Sequence, residues 1–292
     1  MWIVLKCKNC EGDNLMKVLN SYFVLSNGVK IPKLGFGTWQ IKPGEDAYDA
    51  VSLALSNGYR HIDTAEAYKN EASVGRAIKD SGLRREEVFI TSKLESHIKT
   101  YEGTQEAFYK TLKALGTDYL DLFIIHAPWP WSEVGKNCNK GNVEAYKALE
   151  ELYMLGKIRA IGVSNFEIEH LENIINNCDI IPHANQIGHF IGKDNRDLIG
   201  YCEQKEIFVI AYSPLGIGYL LDNQIINDIA KKYDVSAAQI CIRYLIQNGL
   251  AAIPKSVHEE RIIENSEVDF VIKEEDMIML DSIEGDPRRW DK

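Results

Sequence analysis

Short apolar runs alternate with longer amphipathic stretches along most of this chain. Eight runs are nearly continuous in apolar or small side chains, as expected for strands that are buried on both faces. They are residues 34–38, 59–63, 88–92, 120–126, 159–163, 183–187, 208–212 and 251–255. Between the runs, apolar positions recur at helical spacing, for example Val143, Tyr146, Leu149, Leu152 and Tyr153. This alternation predicts a single (β/α)8 barrel.

Start and stop signals bound the helical stretches. Asn70 lies just before Glu71, and Gly156 follows Leu155. The predicted helices include 45–57, 70–81, 102–115, 142–156, 167–177, 194–205 and 235–248, and a last helical pattern follows Pro254. Before the barrel, YFVL and VKIP flank Ser26-Asn27-Gly28. That arrangement predicts a β-hairpin, because Asn-Gly tolerates the positive φ of a tight turn.

We expect residues 21–292 to form one barrel domain, and residues 1–20 to be an N-terminal extension without fixed order. A doubly wound dinucleotide-binding fold is the main competitor. Its fingerprint needs three glycines, whereas Gly35 with Gly37, and Gly216 with Gly218, supply only two each. Any nucleotide must therefore be bound in another way.

Composition narrows the functional classes. The net charge of the 292 residues is −10 and no run of Lys or Arg occurs, which argues against a nucleic-acid or anionic-membrane partner. Cys7-x-x-Cys10 lacks the second pair of ligands that a structural zinc site requires. The other four cysteines show no pattern and fit reduced thiols. No apolar run reaches membrane-spanning length. We therefore expect a cytoplasmic protein.

Ionisable residues close three successive apolar runs. These residues are Asp63, Lys93 and His126, and Tyr68 lies one short loop beyond Asp63. Residues at the carboxyl ends of barrel strands point into one mouth. Taken singly, Asp63 could cap a helix and Lys93 could be solvated. Together they are better explained as an acid–base assembly.

In that assembly, we predict that Lys93 lowers the pKa of the Tyr68 hydroxyl and that Asp63 keeps the lysine charged. A tyrosine tuned in this way could donate a proton to a developing alkoxide. A neutral His126 could orient a carbonyl oxygen, the alternative being a core histidine satisfied by backbone groups. No second histidine or carboxylate lies at metal-ligand spacing, so no metal is predicted.

Aromatic and basic residues mark two further candidate regions. Trp39, Trp129 and Trp131 follow strand ends, where they could wall a substrate pocket or simply pack. Tyr212 could stack on a flat ring. The segment after the last run is a recurrent phosphate site in such barrels, and it carries two cations and a hydroxyl. The residues are Lys255, Ser256 and Arg261, with a solvated helix start as the alternative.

From about Tyr22 to the C-terminus, the chain resembles the aldo-keto reductase family. The segments GFGTW, HIDTAEAYKNEASVGRAI, ITSKL, DLFIIH, IGVSNF, NQI, AYSPLG and IPKSV, followed by RIIEN, occur in the family's order and spacing. The resemblance implies a (β/α)8 reductase, a monomer by default. It implies extended binding of NADPH and reduction of small aldehydes and ketones, without nucleic-acid or membrane partners.

The resemblance also implies a role for each site residue. Tyr68 is the general acid, Lys93 and Asp63 tune it, His126 orients the carbonyl, and Trp39 belongs to the substrate pocket. The residues implied to bind the cofactor are Gly37, Thr38, Ser164, Asn165, Gln186, Tyr212, Ser213, Leu215, Lys255, Ser256, Arg261, Glu264 and Asn265. The basic residues among them match a clamp for the 2′-phosphate, which favours NADPH over NADH.

Some positions depart from the family pattern, so the substrate does not transfer with the resemblance. Many members have Trp where this chain has Ala127, and Glu where it has Gly188. The loop after Leu215 and the C-terminal tail are short. Two other functions stay open. One is a Schiff-base aldolase with Lys93 as nucleophile, which Asp63 disfavours. The other is a non-catalytic nucleotide-binding protein on the same barrel, either a redox sensor or a structural protein.

Overall fold

The protein is described from a computed structural model over residues 17–285. Its strands form a two-stranded sheet and an eight-stranded sheet. The strands are β1 (Tyr22–Val24), β2 (Lys30–Pro32), β3 (Phe36–Gly37), β4 (His61–Asp63), β5 (Phe89–Leu94), β6 (Leu120–Ile125), β7 (Ile158–Ser164), β8 (Ala184–Gly188), β9 (Phe208–Tyr212) and β10 (Ala251–Ile253).

Helices follow the strands of the larger sheet. Within residues 17–285 they are α1 (Glu45–Ser56), α2 (Glu71–Asp80), α3 (Tyr101–Leu115), α4 (Asn139–Met154), α5 (Ile168–Asn177), α6 (Arg196–Gln204), α7 (Gln224–Tyr233), α8 (Ala237–Gln247), α9 (Glu259–Glu264) and α10 (Glu274–Asp281). Short 3-10 turns include Glu66–Tyr68, Trp131–Glu133 and Gly216–Asp222.

The eight strands from β3 to β10 are parallel and neighbour one another in chain order. The sheet closes where Leu34, just before β3, bridges in parallel to Ala252 of β10. The Gly37 amide also donates to the carbonyl of Pro254. The predicted (β/α)8 barrel is confirmed.

The antiparallel β1–β2 hairpin closes one end of the barrel. Leu25 and Ile31 are at most 2% exposed and join the apolar cluster inside the barrel. Phe23 packs on Phe208, which begins β9, so the hairpin covers the amino ends of the strands. Burial of each large apolar side chain contributes about 1.5–3 kcal/mol. The hairpin does not cover the opposite end of the barrel, where the strands have their carboxyl ends.

The hairpin turn follows the Asn-Gly signal with one difference. Gly28 has φ of +84°, and its amide donates to the carbonyl of Leu25. Asn27 is not in the left-handed region; its side chain instead donates to the carbonyl of Arg159, in β7 (2.9 Å). The predicted hairpin is confirmed, and Asn27 joins it to the barrel.

The structure adds to the sequence-based prediction in two regions, helix α7 and the N-terminal extension. Helix α7 is absent from the helices that the pattern predicts, although Asn223 caps it by accepting from the amide of Ile226. Most of the expected N-terminal extension, with its Cys-x-x-Cys, lies outside the described residues, as do the last seven residues of the tail. Within the expected extension, Val18 is buried and contacts the larger core between strands and helices.

Candidate active site

Lys93 lies at the centre of the carboxyl end of the barrel. Its Nζ donates to Asp63 Oδ1 (2.5 Å), to the carbonyl of Thr64 (2.8 Å) and to the Tyr68 hydroxyl (3.3 Å). Lys93 is 1% exposed and Asp63 is 2% exposed, so water is excluded from this ion pair. Because β4 and β5 are parallel neighbours, three of the four predicted catalytic side chains meet in direct contact.

Burial and charge act in opposite directions on Tyr68. Burial raises the pKa of Tyr68, Lys93 lowers it and Asp63 raises it, and the net pKa lies above its ordinary value. The expectation that Lys93 makes this phenol unusually acidic is therefore wrong for the net effect, because the loss of hydration outweighs the ammonium. Tyr68 is protonated at neutral pH and can donate a proton.

Lys93 is held as an ammonium. Burial alone would lower the pKa of Lys93, but Asp63 and Tyr68 raise it, and the net shift is upward. A Schiff-base nucleophile must be a neutral amine. The partners of Lys93 therefore argue against an aldolase, as the sequence already indicated.

His126 completes the group from the end of β6. Its ring meets the rings of Tyr68 and Trp131 edge-on, with centroids 5.6 Å and 5.7 Å away. Burial, together with the charge of Lys93, lowers the pKa of His126 to about 3. The imidazole is therefore neutral at physiological pH and can donate a hydrogen bond without carrying a charge.

Asn70 joins the loop after β3 to the segment that carries Tyr68. Its side-chain amide donates to the carbonyls of Thr38 (3.0 Å) and Ile41 (3.1 Å), and its oxygen accepts from Thr64 Oγ1 (2.8 Å). Asn70 precedes α2 as predicted, but its side chain makes no capping hydrogen bond. Sequence reasoning missed this role. Thr38 and Ile41 lie 32 and 29 positions before Asn70, so the linear pattern carries no signal for these contacts.

Polar side chains from β7, β8 and β9 form a row beside the catalytic group. Gln186 donates to the second carboxylate oxygen of Asp63 (2.7 Å), and Ser164 Oγ donates to the carbonyl of Gln186 (2.8 Å). Asn165 donates to Ser164 Oγ (2.9 Å) and accepts from the Tyr212 hydroxyl (2.7 Å). Four residues that the resemblance assigns to the nicotinamide are thus linked to one another and to Asp63.

Gly188 lets the Tyr212 ring lie against β8. A Cβ built at this position would come within 3.1 Å of three atoms of the Tyr212 side chain. Many members of the resembled family carry Glu there. Glycine in place of that Glu therefore has a local structural consequence. Any larger side chain at position 188 would displace the Tyr212 ring from its present position.

The three tryptophans occupy different settings. Trp39 and Trp131 are 46% and 50% exposed, and Trp131 contacts His126. The Trp129 ring packs edge-on against His170 of α5, with centroids 5.3 Å apart. Trp131 is therefore placed to touch a molecule bound beside His126, whereas the contact of Trp129 is with the helical layer.

The predicted phosphate site follows β10. Lys255 and Arg261 are exposed, and neither forms an ion pair within the described part of the chain. Ser256 is 6% exposed, and its Oγ accepts from the amide of His258 (3.1 Å). Asn265, at the end of α9, is also buried. Two solvated cations beside a short helix suit a phosphate group.

The remaining cofactor candidates lie on both sides of β10 in the barrel. Thr38 is fully buried, and both its amide and its hydroxyl donate to the carbonyl of Asp63. A Cβ at Gly37 would approach the carbonyl oxygen of Ile253 to 3.0 Å, so this glycine permits barrel closure. The others lie in partly exposed positions after β9 and on α9; they are Ser213, Leu215 and Glu264.

Comparison with known proteins decides the family. Residues 33–284 match the model of the aldo/keto reductase family. The chain belongs to this family. It is 45% identical to glyoxal reductase of Bacillus subtilis (strain 168) over 265 residues, which cover 90% of this chain and 93% of that protein. It is 38% identical to an aldehyde reductase of Saccharomyces cerevisiae over 284 residues, or 89% of each chain.

A solved structure agrees with this aldo/keto reductase assignment. The crystal structure of an aldo-keto reductase from a deep-sea metagenome library superposes with a TM-score of 0.85 at 44% identity. The match covers 90% of this chain and 94% of that one. The barrel and its flanking helices are therefore those of the family.

Three further features of this aldo/keto reductase concern metal binding, cysteines and helix length. Between residues 17 and 285, no group of three or more His, Cys, Asp or Glu side chains is placed to hold a metal ion. Cys138, Cys178, Cys202 and Cys241 are free thiols. No helix in the same part of the chain is both long and apolar enough to cross a membrane.

Proposed function

We propose that this aldo/keto reductase reduces aldehydes and ketones to alcohols with NADPH, and that Tyr68 is the general acid. The observation that carries the proposal is the contact of the buried Lys93 Nζ with both Asp63 and Tyr68, at the carboxyl end of the barrel, where His126 also lies. The names of the glyoxal and aldehyde reductases to which the chain is similar support the same reaction class.

Each site residue has its own part in the transfer of the proton. The neutral His126 donates a hydrogen bond to the carbonyl oxygen and orients it. Tyr68, protonated by virtue of its burial, gives its proton to that oxygen as negative charge develops. Lys93, 3.3 Å away, then stabilises the phenolate, and Asp63 keeps the ammonium in place. The nicotinamide, when bound, supplies the hydride.

Residues at the carboxyl ends of β7 and β8, together with residues after β10, fit a nicotinamide nucleotide. Hydroxyl and amide groups lie next to Asp63 on Ser164, Asn165 and Gln186. The carboxamide of a bound nicotinamide could replace the hydrogen bonds that these groups now form with one another and with Asp63. Lys255 and Arg261 are solvated cations that could engage a 2′-phosphate, which favours NADPH. Aldo-keto reductases generally use NADH or NADPH. We further propose a cytoplasmic monomer, in keeping with its acidic composition and free thiols.

Replacement of Tyr68 by Phe tests the proposal. The variant keeps the ring but loses the proton, so kcat should fall about a thousandfold. The dissociation constant for NADPH should change by less than about twofold, because the clamp is intact. Loss of NADPH absorbance with a panel of aldehydes and ketones measures the first quantity, and a fluorescence titration measures the second.

Tyr109→Phe, an exposed tyrosine on α3, is the control and should behave as wild type. Unchanged turnover in Tyr68→Phe would remove this residue from the mechanism. A wild-type protein that binds NADPH but oxidises it with no carbonyl compound would instead support the non-catalytic nucleotide-binding alternative.

A further inference from the structure

A groove of about 240 Å³ lies beside the catalytic mouth. It is lined by Ala67 and by the loops at 95–97 and 130–132. Ala67 directly precedes Tyr68, and Trp131 in the groove wall contacts the ring of His126. The groove therefore adjoins the place where the carbonyl group would react.

Glu95 is an acidic residue in the wall of this groove. It follows Lys93 by two residues and comes directly after Leu94, the last residue of β5. The Glu95 side chain is 17% exposed; Oε1 accepts from Lys69 Nζ (2.5 Å), and Oε2 pairs with His97 Nδ1 (3.1 Å).

Both partners of Glu95 can be replaced easily. The side chains of Lys69 and His97 are each 65% exposed, and exposed ion pairs contribute little to stability. By contrast, the two loops of the groove are joined by the Trp131 amide, which donates to the buried Ser96 Oγ (3.2 Å). The groove thus has a fixed frame and a carboxylate that can accept a new donor.

We propose that this groove binds the polar end of the substrate, with Glu95 as the specificity-determining residue. The preferred substrates are carbonyl compounds that carry a hydroxyl group at the end remote from the reacting carbon. This inference rests on the proposed reductase function. An alkyl group that displaces Lys69 or His97 leaves the partly buried carboxylate without a donor, whereas a hydroxyl replaces the lost hydrogen bond.

Two rigid aldehydes test the inference, 4-(hydroxymethyl)benzaldehyde and 4-methylbenzaldehyde, which differ by one hydroxyl group. We expect wild type to favour the first by about tenfold in kcat/KM with NADPH. Glu95→Leu should abolish this ratio while it retains turnover of 4-methylbenzaldehyde. Glu133→Gln, an exposed carboxylate paired with Lys136, is the matched control and should keep the wild-type ratio.

Different outcomes overturn different claims. An unchanged ratio in Glu95→Leu overturns the role of Glu95, and Glu95→Ala, which also removes the acceptor, provides the same comparison if the leucine variant does not fold. A preference for 4-carboxybenzaldehyde that Lys69→Met removes would show that the groove selects anions, which also overturns the proposal. If wild type reduces neither of the two aldehydes nor any other carbonyl compound, the proposed function fails first.

Discussion

Basic side chains in this protein differ in function because their partners differ. Lys93 is buried against Asp63, which keeps it charged. Lys99 donates to two neutral oxygens, the carbonyl of Ala127 and the side-chain oxygen of Asn142, and burial lowers the pKa of Lys99 to about 8. Lys255 and Arg261 are exposed and have no anionic partner among residues 17–285. For the two buried lysines, the pKa therefore rises where a carboxylate is in contact and falls where the partners are neutral.

Lys255 and Arg261 provide a test of the cofactor proposal at the level of single residues. Lys255→Ala and Arg261→Ala should each weaken NADPH about tenfold, since a charge-assisted hydrogen bond to phosphate is lost. Binding of NADH, which lacks the 2′-phosphate, should change much less. Fluorescence titration with both nucleotides measures this difference, and Lys113→Ala, an exposed lysine on α3, is the control. Equal losses for NADPH and NADH would argue against a phosphate clamp.

At the level of elements, helix α2 packs unusually close to the end of α3. A Cβ built on Gly75 would lie 2.2 Å from the carbonyl oxygen of Leu115, which is backbone and cannot move aside cheaply. Helix α2 begins just after Asn70, whose side chain fixes the loop before Tyr68. The contact between the two helices therefore supports the geometry of the active site.

Gly75→Ala should destabilise the protein by about 2 kcal/mol or more, although alanine is the better helix former. The matched variant is Gly200→Ala in α6, where a new Cβ would meet nothing within 4 Å. It should stabilise the protein by about 1 kcal/mol. Urea unfolding of both variants gives the two free energies of unfolding. A stabilising effect at both positions would contradict the close packing of α2.

At the level of the whole molecule, the fold buries several histidines in neutral form. Burial, with some help from Lys93, lowers the pKa of His61 and His126 to about 3, and burial with the charge of Lys193 lowers that of His189 to about 4. In the unfolded chain, the pKa of a histidine is about 6.5. Below that pH the unfolded state binds protons that the folded state does not.

The free energy of unfolding should therefore be highest above pH 6.5 and should fall as the pH drops toward 4. Each such histidine contributes a slope of about 1.4 kcal/mol per pH unit in this window. Urea unfolding at several pH values measures it. His61→Gln should reduce the slope, whereas the exposed His258→Gln should not. A slope that His61→Gln leaves unaltered would contradict this account of acid sensitivity.

Most of the barrel could be predicted from the sequence. Strands buried on both faces leave continuous apolar runs, and each predicted run overlaps a strand of the barrel. The boundaries shift by a few residues for local reasons. The last run, for example, ends as a strand at Ile253 because Pro254 has no amide hydrogen to donate. The positions of the proposed catalytic residues were predictable too, because strand ends in such a barrel converge.

The sequence by itself determined the order of strands and helices, the hairpin turn and the residue types at the barrel mouth, since these depend on neighbours along the chain. Only the tertiary structure decided the net pKa direction of Tyr68, the loop contacts of Asn70 and the bond between Gln186 and Asp63, 123 positions apart. Hydration and electrostatic interaction depend on distances in space, and the linear pattern does not contain them.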